Sequence, residues 1–352
     1  MKQLNVGVIG CGHIAQQVHI PNYVENSKSN LVAVCDTDKN VANLIAEKYK
    51  IKHVFTDYQE LLKSGLVEAV SVCVPTSLHS RVVIDAARCG IHILCEKPLA
   101  LNMNDADKML EAASHNNIKL AVGFNLRFLS NHVKAKEYLD KGKIGRPIFA
   151  GAEVITSGPY EPKVGEEFYQ SEAKKRIGCL FDAGAHLAYL LVWMLGEPLE
   201  VSASLSTYKE GVEVDDHAVV TAKFQNEVLG SIQVAWSHLP DYRAVENSRT
   251  LEIVGTEGIL QSDCLGPSLR FYNTTSLTSR IKGTIKLTPG KFDPKIPFEA
   301  LAWSYKQEID DFLESIIKKR EPLVSGEEGK KALRFILAAY ESNRSQSIIK
   351  SK

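Results

Sequence analysis

Asp182 and His186 form a pair of side chains suited to acid–base chemistry. They lie four residues apart in a stretch that continues as an apolar helix to Leu195, so both project from one helix face. A histidine titrates near neutral pH and can take a hydroxyl proton while carbon gives up hydride, and a carboxylate can hold a neighbouring hydroxyl. The structural alternative is that Asp182 caps the helix and His186 is a satisfied core histidine. No metal is expected, because this helix carries no second histidine or cysteine at ligand spacing.

Lys97 is a third candidate for the same chemistry. It lies in the triplet Glu96-Lys97-Pro98, which directly follows an apolar run predicted to be a strand. At the carboxyl edge of a parallel sheet, its ammonium could donate to a substrate hydroxyl and favour the alkoxide, and Pro98 fixes the local backbone. The alternative is an ordinary solvated loop lysine.

A glycine-rich turn near the N-terminus predicts a binding site for a dinucleotide. Gly10 permits a tight turn after an apolar strand, and Gly12 lets the backbone approach two phosphates because it has no Cβ. Ala15 is small enough for the next helix to pack on the strand. That helix begins near His13 and Ile14 and points its free N–H groups at the pyrophosphate.

Asp36 indicates which dinucleotide is bound. It ends the next apolar run, about 20 residues beyond the glycine turn, where a carboxylate accepts from the adenosine ribose hydroxyls. The same charge would repel a 2′-phosphate, and Asp38 adds a second negative charge. The sequence therefore favours NAD over NADP.

The first 124 residues alternate short β-branched runs with amphipathic helical stretches, which is typical of a doubly wound parallel sheet. The predicted strands are Asn5 to Ile9, Leu31 to Cys35, His53 to Phe55, Ala69 to Val74, His92 to Cys95 and Leu120 to Phe124. Ligands of such sheets bind beyond the carboxyl ends of the strands. We therefore predict an NAD-binding Rossmann domain over residues 1–124.

Residues 125–352 follow a different pattern and are predicted to form a second α/β domain. Strand-like runs with turn residues between them indicate a mostly antiparallel sheet. They are Pro147 to Ile155, Glu200 to Tyr208, Ala218 to Phe224, Gly230 to Trp236, Thr250 to Val254 and Ile259 to Ser262. Two helical stretches, from about Trp303 to Lys319 and from Glu327 to Asn343, end the chain. The polar segment from Gly158 to Lys175 is a loop candidate that could line a pocket.

Composition argues against several classes of partner. The 352 residues carry 42 basic and 42 acidic side chains, so no large field recruits nucleic acid or an acidic membrane surface. The longest apolar run, from Leu187 to Leu195, is far shorter than the roughly 20 residues of a membrane span. The balanced charge instead favours a small, roughly neutral or hydroxylated partner. Seven cysteines without a C-x-x-C motif, and no leader after Met1, predict a cytoplasmic protein.

Together these motifs resemble the Gfo/Idh/MocA oxidoreductases. The resemblance is carried, in chain order, by the glycine turn with Asp36, the Glu96-Lys97-Pro98 triplet, the segment from Gly123 to Phe128, and the Asp182-x-x-x-His186 helix. It implies a Rossmann domain followed by an α/β domain whose large, mostly antiparallel open sheet mediates assembly as a homodimer or homotetramer. It also implies that Lys97, Asp182 and His186 form the catalytic set, with His186 as the acid/base.

The remaining site predictions surround this set. Cofactor contacts are also expected for Pro75, Thr76, His79 and Glu96, although many relatives have Thr-Pro-Asn at the end of the fourth strand, where this chain has Val74-Pro75-Thr76-Ser77. The alternative for His79 is an ordinary histidine at a helix start. Substrate contacts are predicted for Asn125, Arg127 and Tyr160 as well as the catalytic set. Further aromatic or imidazole candidates, which could equally be packing residues, are Trp236, His238 and Tyr242.

The predicted function is NAD-dependent oxidation of a secondary hydroxyl of a sugar, cyclitol or sugar derivative by hydride transfer to nicotinamide. One alternative retains NAD and uses transient oxidation to cleave a glycoside. The other is a non-catalytic NAD-binding sensor, which would have no need for Lys97, Asp182 and His186 together.

Overall fold

The computed structural model describes residues 3–156, 158, 177–210, 212–236, 249–263, 268–273, 284–286 and 297–350. The chain divides into two compact units. The first comprises Met1–Asn125 and Tyr305–Leu333, and the second comprises Leu126–Ser304 and Arg334–Lys352. The first division falls one residue from the predicted boundary, but the segment Tyr305–Leu333 groups with the N-terminal unit instead of with the residues around it.

The first unit is built on a six-stranded parallel sheet in the order β3-β2-β1-β4-β5-β6, which confirms the predicted doubly wound fold. Its strands are β1 (Leu4–Ile9), β2 (Ser29–Cys35), β3 (His53–Phe55), β4 (Ala69–Val72), β5 (His92–Cys95) and β6 (Leu120–Val122). The order reverses between β1 and β4. The carboxyl ends of these strands therefore flank the crevice in which such sheets bind ligands.

Helices connect these strands. After β1 the chain forms a helical segment from His13, wound as a π-helix over Ala15–His19 and continued by α1 (Ile20–Glu25). The others are α2 (Lys39–Tyr49), α3 (Tyr58–Lys63), α4 (Thr76–Arg88) and α5 (Met103–His115).

The second unit contains a nine-stranded sheet in the order β14-β13-β12-β11-β7-β10-β9-β8-β15. Its elements are α6 (Ser130–Asp140), β7 (Pro147–Thr156), α7 (Cys179–Leu195), β8 (Glu200–Ser206), β9 (His217–Lys223), β10 (Leu229–Trp236), β11 (Arg249–Gly255), β12 (Gly258–Asp263), β13 (Ser268–Asn273), β14 (Thr284–Lys286) and β15 (Ile349–Lys350). Among the strands that the structure describes in this sheet, only β7 and β10 pair in parallel. The prediction of a mostly antiparallel sheet is thus confirmed.

The last two long helices are α8 (Pro297–Ile317) and α9 (Gly326–Ser345), and each is divided between the two units. The part of α8 in the first unit buries Ile309, Phe312 and Leu313 in the core that also holds Val6 and Val8 of β1. Burial of that apolar surface explains why Tyr305–Leu333 clusters with the Rossmann unit. Within the described ranges, no helix is both long and apolar enough to cross a bilayer.

Candidate functional site

The glycine turn has the geometry that a bound pyrophosphate requires. Gly10 has a φ of +90°, and a Cβ there would lie 2.5 Å from the Cys73 carbonyl oxygen, so only glycine fits. A Cβ on Gly12, by contrast, would have no heavy atom within 4 Å. Open space above this backbone, with His13 exposed at the start of the next helix, fits a dinucleotide phosphate.

Asp36 is oriented beside that turn by the backbone. One carboxylate oxygen accepts from the Cys11 N–H at 2.7 Å and the other accepts from the Asp38 N–H at 2.9 Å. A carboxylate oxygen can accept more than one hydrogen bond, so both retain capacity for ribose hydroxyls. The Asp38 carboxylate is occupied as the N-cap of α2, where it accepts from the Asn40 N–H at 2.8 Å.

Lys97 follows β5, at the carboxyl edge where β4 and β6 also end. Its own backbone N–H donates to Glu96 Oε2 at 3.1 Å, and Glu96 Oε1 lies 2.8 Å from His19 Nε2. Burial alone would raise the pKa of Glu96. The hydrogen bond from His19 and the charges of His19 and Lys97 outweigh the effect of burial and lower the pKa of Glu96, so Glu96 is ionised beside Lys97.

His79 holds the same loop from the side of β4. Its ring nitrogens lie 2.9 Å from the Val74 carbonyl oxygen and 3.0 Å from the Pro98 carbonyl oxygen. Burial lowers the pKa of His79, against the hydrogen bonds to the two carbonyl oxygens, which raise it. The ring therefore bridges two backbone segments, and its predicted contact with the cofactor remains a prediction.

Helix α7 presents one partly exposed face on an otherwise buried helix. Between Phe181 and Leu190 only Asp182, Ala183 and His186 are not fully buried, and the apolar remainder packs on β7, β9 and β10. The predicted Asp182–His186 pair thus lies together on the accessible face, one turn apart.

Arg127 and Trp193 extend this face. The Arg127 guanidinium carbon lies 3.6 Å from the centroid of the Trp193 ring, and Trp193 is seven residues beyond His186 on the same side of the helix. This contact holds the guanidinium over the Trp193 ring. Arg127, which the sequence predicted to bind substrate, therefore lies on the accessible side of α7.

The N-terminus of α7 is capped by Asp215. The Asp215 Oδ2 accepts from the Leu180 N–H at 2.9 Å and its carbonyl accepts from the Cys179 N–H at 2.8 Å, while Asp182 follows one turn inside the helix. Two N–H groups of the first turn are therefore satisfied by Asp215. The sequence gives no local signal for this role of Asp215, because the cap comes from 35 residues away.

Asp215 ties several parts of the second unit together. Burial raises its pKa above the ordinary value, against hydrogen bonds from Tyr340, at 2.6 Å, and from the α7 terminus, which lower it. A Cβ on Gly178 would lie 1.9 Å from Asp215 Oδ1, so glycine is required at the start of the helix. The carboxylate thereby fixes the first turn of the helix that carries Asp182.

The other predicted residues are distributed as follows. Pro75 precedes α4 and Thr76 begins it, both beside the end of β4, and Asn125 is buried after β6. Lys97 and Asn125 belong to the first unit, whereas Arg127, Asp182 and His186 belong to the second. The convergence of Lys97 with Asp182 and His186 remains a prediction.

Tyr160, His238 and Tyr242 lie outside the described residues, and Trp236 is buried at the end of β10. Within the described ranges, no three histidine, cysteine or acidic side chains come together as a metal site would require.

Comparison with known proteins agrees with this geometry. Residues 4–124 match the model of the oxidoreductase family with an NAD-binding Rossmann fold, and residues 132–261 match the GFO/IDH/MocA C-terminal domain. The chain is 27% identical to a myo-inositol 2-dehydrogenase of Thermotoga maritima, over 99% of this chain and 98% of that protein. It is 26% identical to a levoglucosan dehydrogenase of Pseudarthrobacter phenanthrenivorans, over 73% of each.

Among solved structures, the chain superposes on a probable dehydrogenase from Thermotoga maritima with a TM-score of 0.79 and 28% identity, covering 99% of this chain and 98% of the other. Both halves of the chain thus match the same family, and the matches span nearly its full length. The protein belongs to the Gfo/Idh/MocA family of oxidoreductases, with the NAD-binding Rossmann domain of that family at its N-terminal end.

Proposed function

We propose that the protein is an NAD-dependent dehydrogenase that oxidises a secondary hydroxyl of a sugar, cyclitol or sugar derivative, reversibly, to a ketone or lactone. The observation that carries this proposal is the pair Asp182 and His186 on the accessible face of a buried helix, in a chain of this oxidoreductase family. The two relatives described above are named for an inositol and for an anhydrosugar, which supports the substrate class.

Each residue has a distinct role in the proposed reaction. NAD, when bound, supplies the acceptor for the hydride at nicotinamide C4. His186 takes the proton of the reacting hydroxyl, and the Lys97 ammonium stabilises the negative charge that develops on its oxygen. Asp182 orients a neighbouring hydroxyl, and Asn125, Arg127 and Tyr160 hold the rest of the polyol. The bond from carbon to hydrogen and the O–H bond are broken, and a carbonyl forms.

The proposed cofactor is NAD in preference to NADP. Asp36 is held in place by two backbone N–H groups, so its carboxylate cannot turn away from a 2′-phosphate without losing both hydrogen bonds. The cofactor contacts proposed for Gly10, Gly12, His13 and Ile14 follow from the open space above the turn.

We further propose that the protein assembles as a homodimer or homotetramer through the open face of the nine-stranded sheet. Along β9 and β10, buried residues alternate with exposed ones, and the exposed set includes the apolar side chains Val219 and Leu229. A cytoplasmic location is proposed because Cys11 and Cys35 are free, buried thiols.

The test is the near-ultraviolet absorbance of NADH during incubation with NAD and a panel of inositols, anhydrosugars and glycosides. Turnover is expected with at least one polyol, and Lys97→Met and His186→Ala are each expected to lower kcat by about 100-fold or more. Release of an aglycone without net NADH would contradict simple dehydrogenation and favour glycoside cleavage. NAD binding without either reaction would favour a sensor.

A further inference from the structure

A buried chain of polar side chains leads from α1 to the Lys97 loop within the first unit. His19 is fully buried, with Nε2 2.8 Å from Glu96 Oε1 and Nδ1 3.0 Å from Ser71 Oγ. Ser71 Oγ in turn lies 2.7 Å from the Tyr23 hydroxyl oxygen. Buried polar groups at these distances are fully engaged hydrogen-bonding partners.

The chemistry of Glu96 fixes the direction of one of these hydrogen bonds. The ionised Glu96 carboxylate can only accept, so His19 Nε2–H donates to it. Ser71 Oγ hydrogen-bonds both His19 Nδ1 and the Tyr23 hydroxyl, and so holds the other side of the imidazole ring.

The second oxygen of Glu96 fixes the start of Lys97. Glu96 Oε2 accepts from the Lys97 N–H at 3.1 Å, and on its other side the carboxylate packs against Gly123, where a Cβ would lie 3.1 Å from Oε2. The carboxylate is therefore held between His19, the Lys97 N–H and the Gly123 backbone. Any change in how Glu96 is held is transmitted to the backbone from which the Lys97 ammonium extends.

Other titratable groups near Glu96 do not supply a substitute for His19. His79 is committed to the Val74 and Pro98 carbonyls, and the thiols of Cys73 and Cys95 are weak donors. From α8, Glu308 also faces this region, and burial together with the negative charge of Glu96 raises the pKa of Glu308 well above the ordinary value; a carboxyl group in that position cannot replace the imidazole as the donor that holds Glu96 ionised.

We propose that His19 is a positioning residue for the reaction, acting through Glu96 on Lys97. The proposal rests on the proposed function, in which Lys97 meets the reacting hydroxyl. Without the imidazole, one buried oxygen of Glu96 loses its donor, and the carboxylate then takes up a proton or turns. Either outcome displaces Lys97 or removes its counter-charge, while the glycine turn and Asp36 are untouched.

The test is a double-variant cycle with His19→Phe and Glu96→Gln. His19→Phe alone is expected to lower kcat about 10- to 100-fold, the range typical for partners that orient a site residue, with the KM for NAD changed by less than about 3-fold. In the Glu96→Gln background the same substitution is expected to change kcat by less than about 3-fold, because its route of action is gone. His92→Phe is the matched control, since His92 lies at the opposite end of β5, where its Nδ1 accepts from the Lys119 N–H.

A second readout does not depend on turnover. Lysines are dimethylated with ¹³C-formaldehyde, and the Lys97 resonance is assigned by its absence in Lys97→Arg. We expect this resonance to move in His19→Phe and in Glu96→Gln, and to stay in place in His92→Phe. His19→Gln keeps an amide donor for Glu96 and is expected to restore most of kcat, which also separates positioning from loss of folding.

An equal kcat loss for His19→Phe in both backgrounds, or an unmoved Lys97 resonance, would overturn the proposal. If the wild-type protein oxidises no polyol, the proposed function fails, and the Lys97 resonance still decides whether His19 acts on Lys97.

Discussion

Substitution of Gly12 by alanine should separate cofactor binding from folding stability. A Cβ at this position meets no heavy atom within 4 Å, so the added methyl group neither clashes with the fold nor is buried by it. Alanine also has fewer backbone conformations than glycine in the unfolded chain, so less conformational entropy is lost on folding. We expect the free energy of unfolding without ligand to be unchanged or higher by up to about 1 kcal/mol.

The affinity for NAD should fall in the same variant. The methyl group would occupy the space through which the Gly12 backbone approaches the pyrophosphate. Losing one hydrogen bond between a backbone N–H and a charged phosphate costs about 1.5–3 kcal/mol, which corresponds to roughly a 10- to 150-fold rise in Kd.

Gly10→Ala is the matched control, because the same substitution two residues away should lower the free energy of unfolding. At a φ of +90°, with a Cβ 2.5 Å from the Cys73 carbonyl oxygen, alanine should destabilise the protein by at least about 1–2 kcal/mol. Urea unfolding without ligand and calorimetric titration with NAD measure the two quantities. A Gly12→Ala protein that binds NAD like the wild type, or that loses more than about 1 kcal/mol of stability, would refute the reasoning.

Three further predictions concern charges and buried polar groups. Asp36→Ser should lower the preference for NAD over NADP, measured as the ratio of kcat/KM values, by about 10-fold or more, and an unchanged ratio would remove Asp36 from cofactor selection. Tyr340→Phe removes the 2.6 Å hydrogen bond to Asp215 and should cost about 1–3 kcal/mol in urea unfolding at pH 7, whereas a neutral effect would mean that this contact does not hold the cap of α7. Glu308→Gln should raise the melting temperature, and this gain should become larger from pH 5 to pH 8. Because the pKa of Glu308 is raised in the folded state, the stability of the wild type falls as pH rises from the unfolded-state pKa towards the folded-state pKa. The loss is at most about 1.4 kcal/mol per pH unit. A gain that does not depend on pH would show that Glu308 titrates normally.

The Rossmann half of the fold was predictable because its signals are local. Buried parallel strands are continuous β-branched runs, and the strands predicted at His53 to Phe55 and His92 to Cys95 have those bounds in the structure. The run predicted to Val74 ends at Val72, since the chain must turn there to begin α4. The 3.6-residue period of an α-helix likewise predicted that Asp182 and His186 lie on one helix face.

The contacts that were missed join residues far apart in the chain. Nothing near Glu308 shows that α8 returns to the first unit, and nothing near Asp215 shows that it caps α7. The link from His19 to Glu96 spans 77 residues and depends on which strands are neighbours in the sheet. Such partners follow from topology, which a single sequence specifies only through the whole fold.

The central claim is that hydride moves from a polyol carbon to the nicotinamide of bound NAD. Its most direct test is mass spectrometry of the cofactor after incubation with a polyol deuterated at the carbon that bears the hydroxyl. We predict that deuterium appears in the reduced nicotinamide with the wild-type protein and is strongly reduced with His186→Ala. Absence of label with every polyol tested, in a protein that demonstrably binds NAD, would contradict the account.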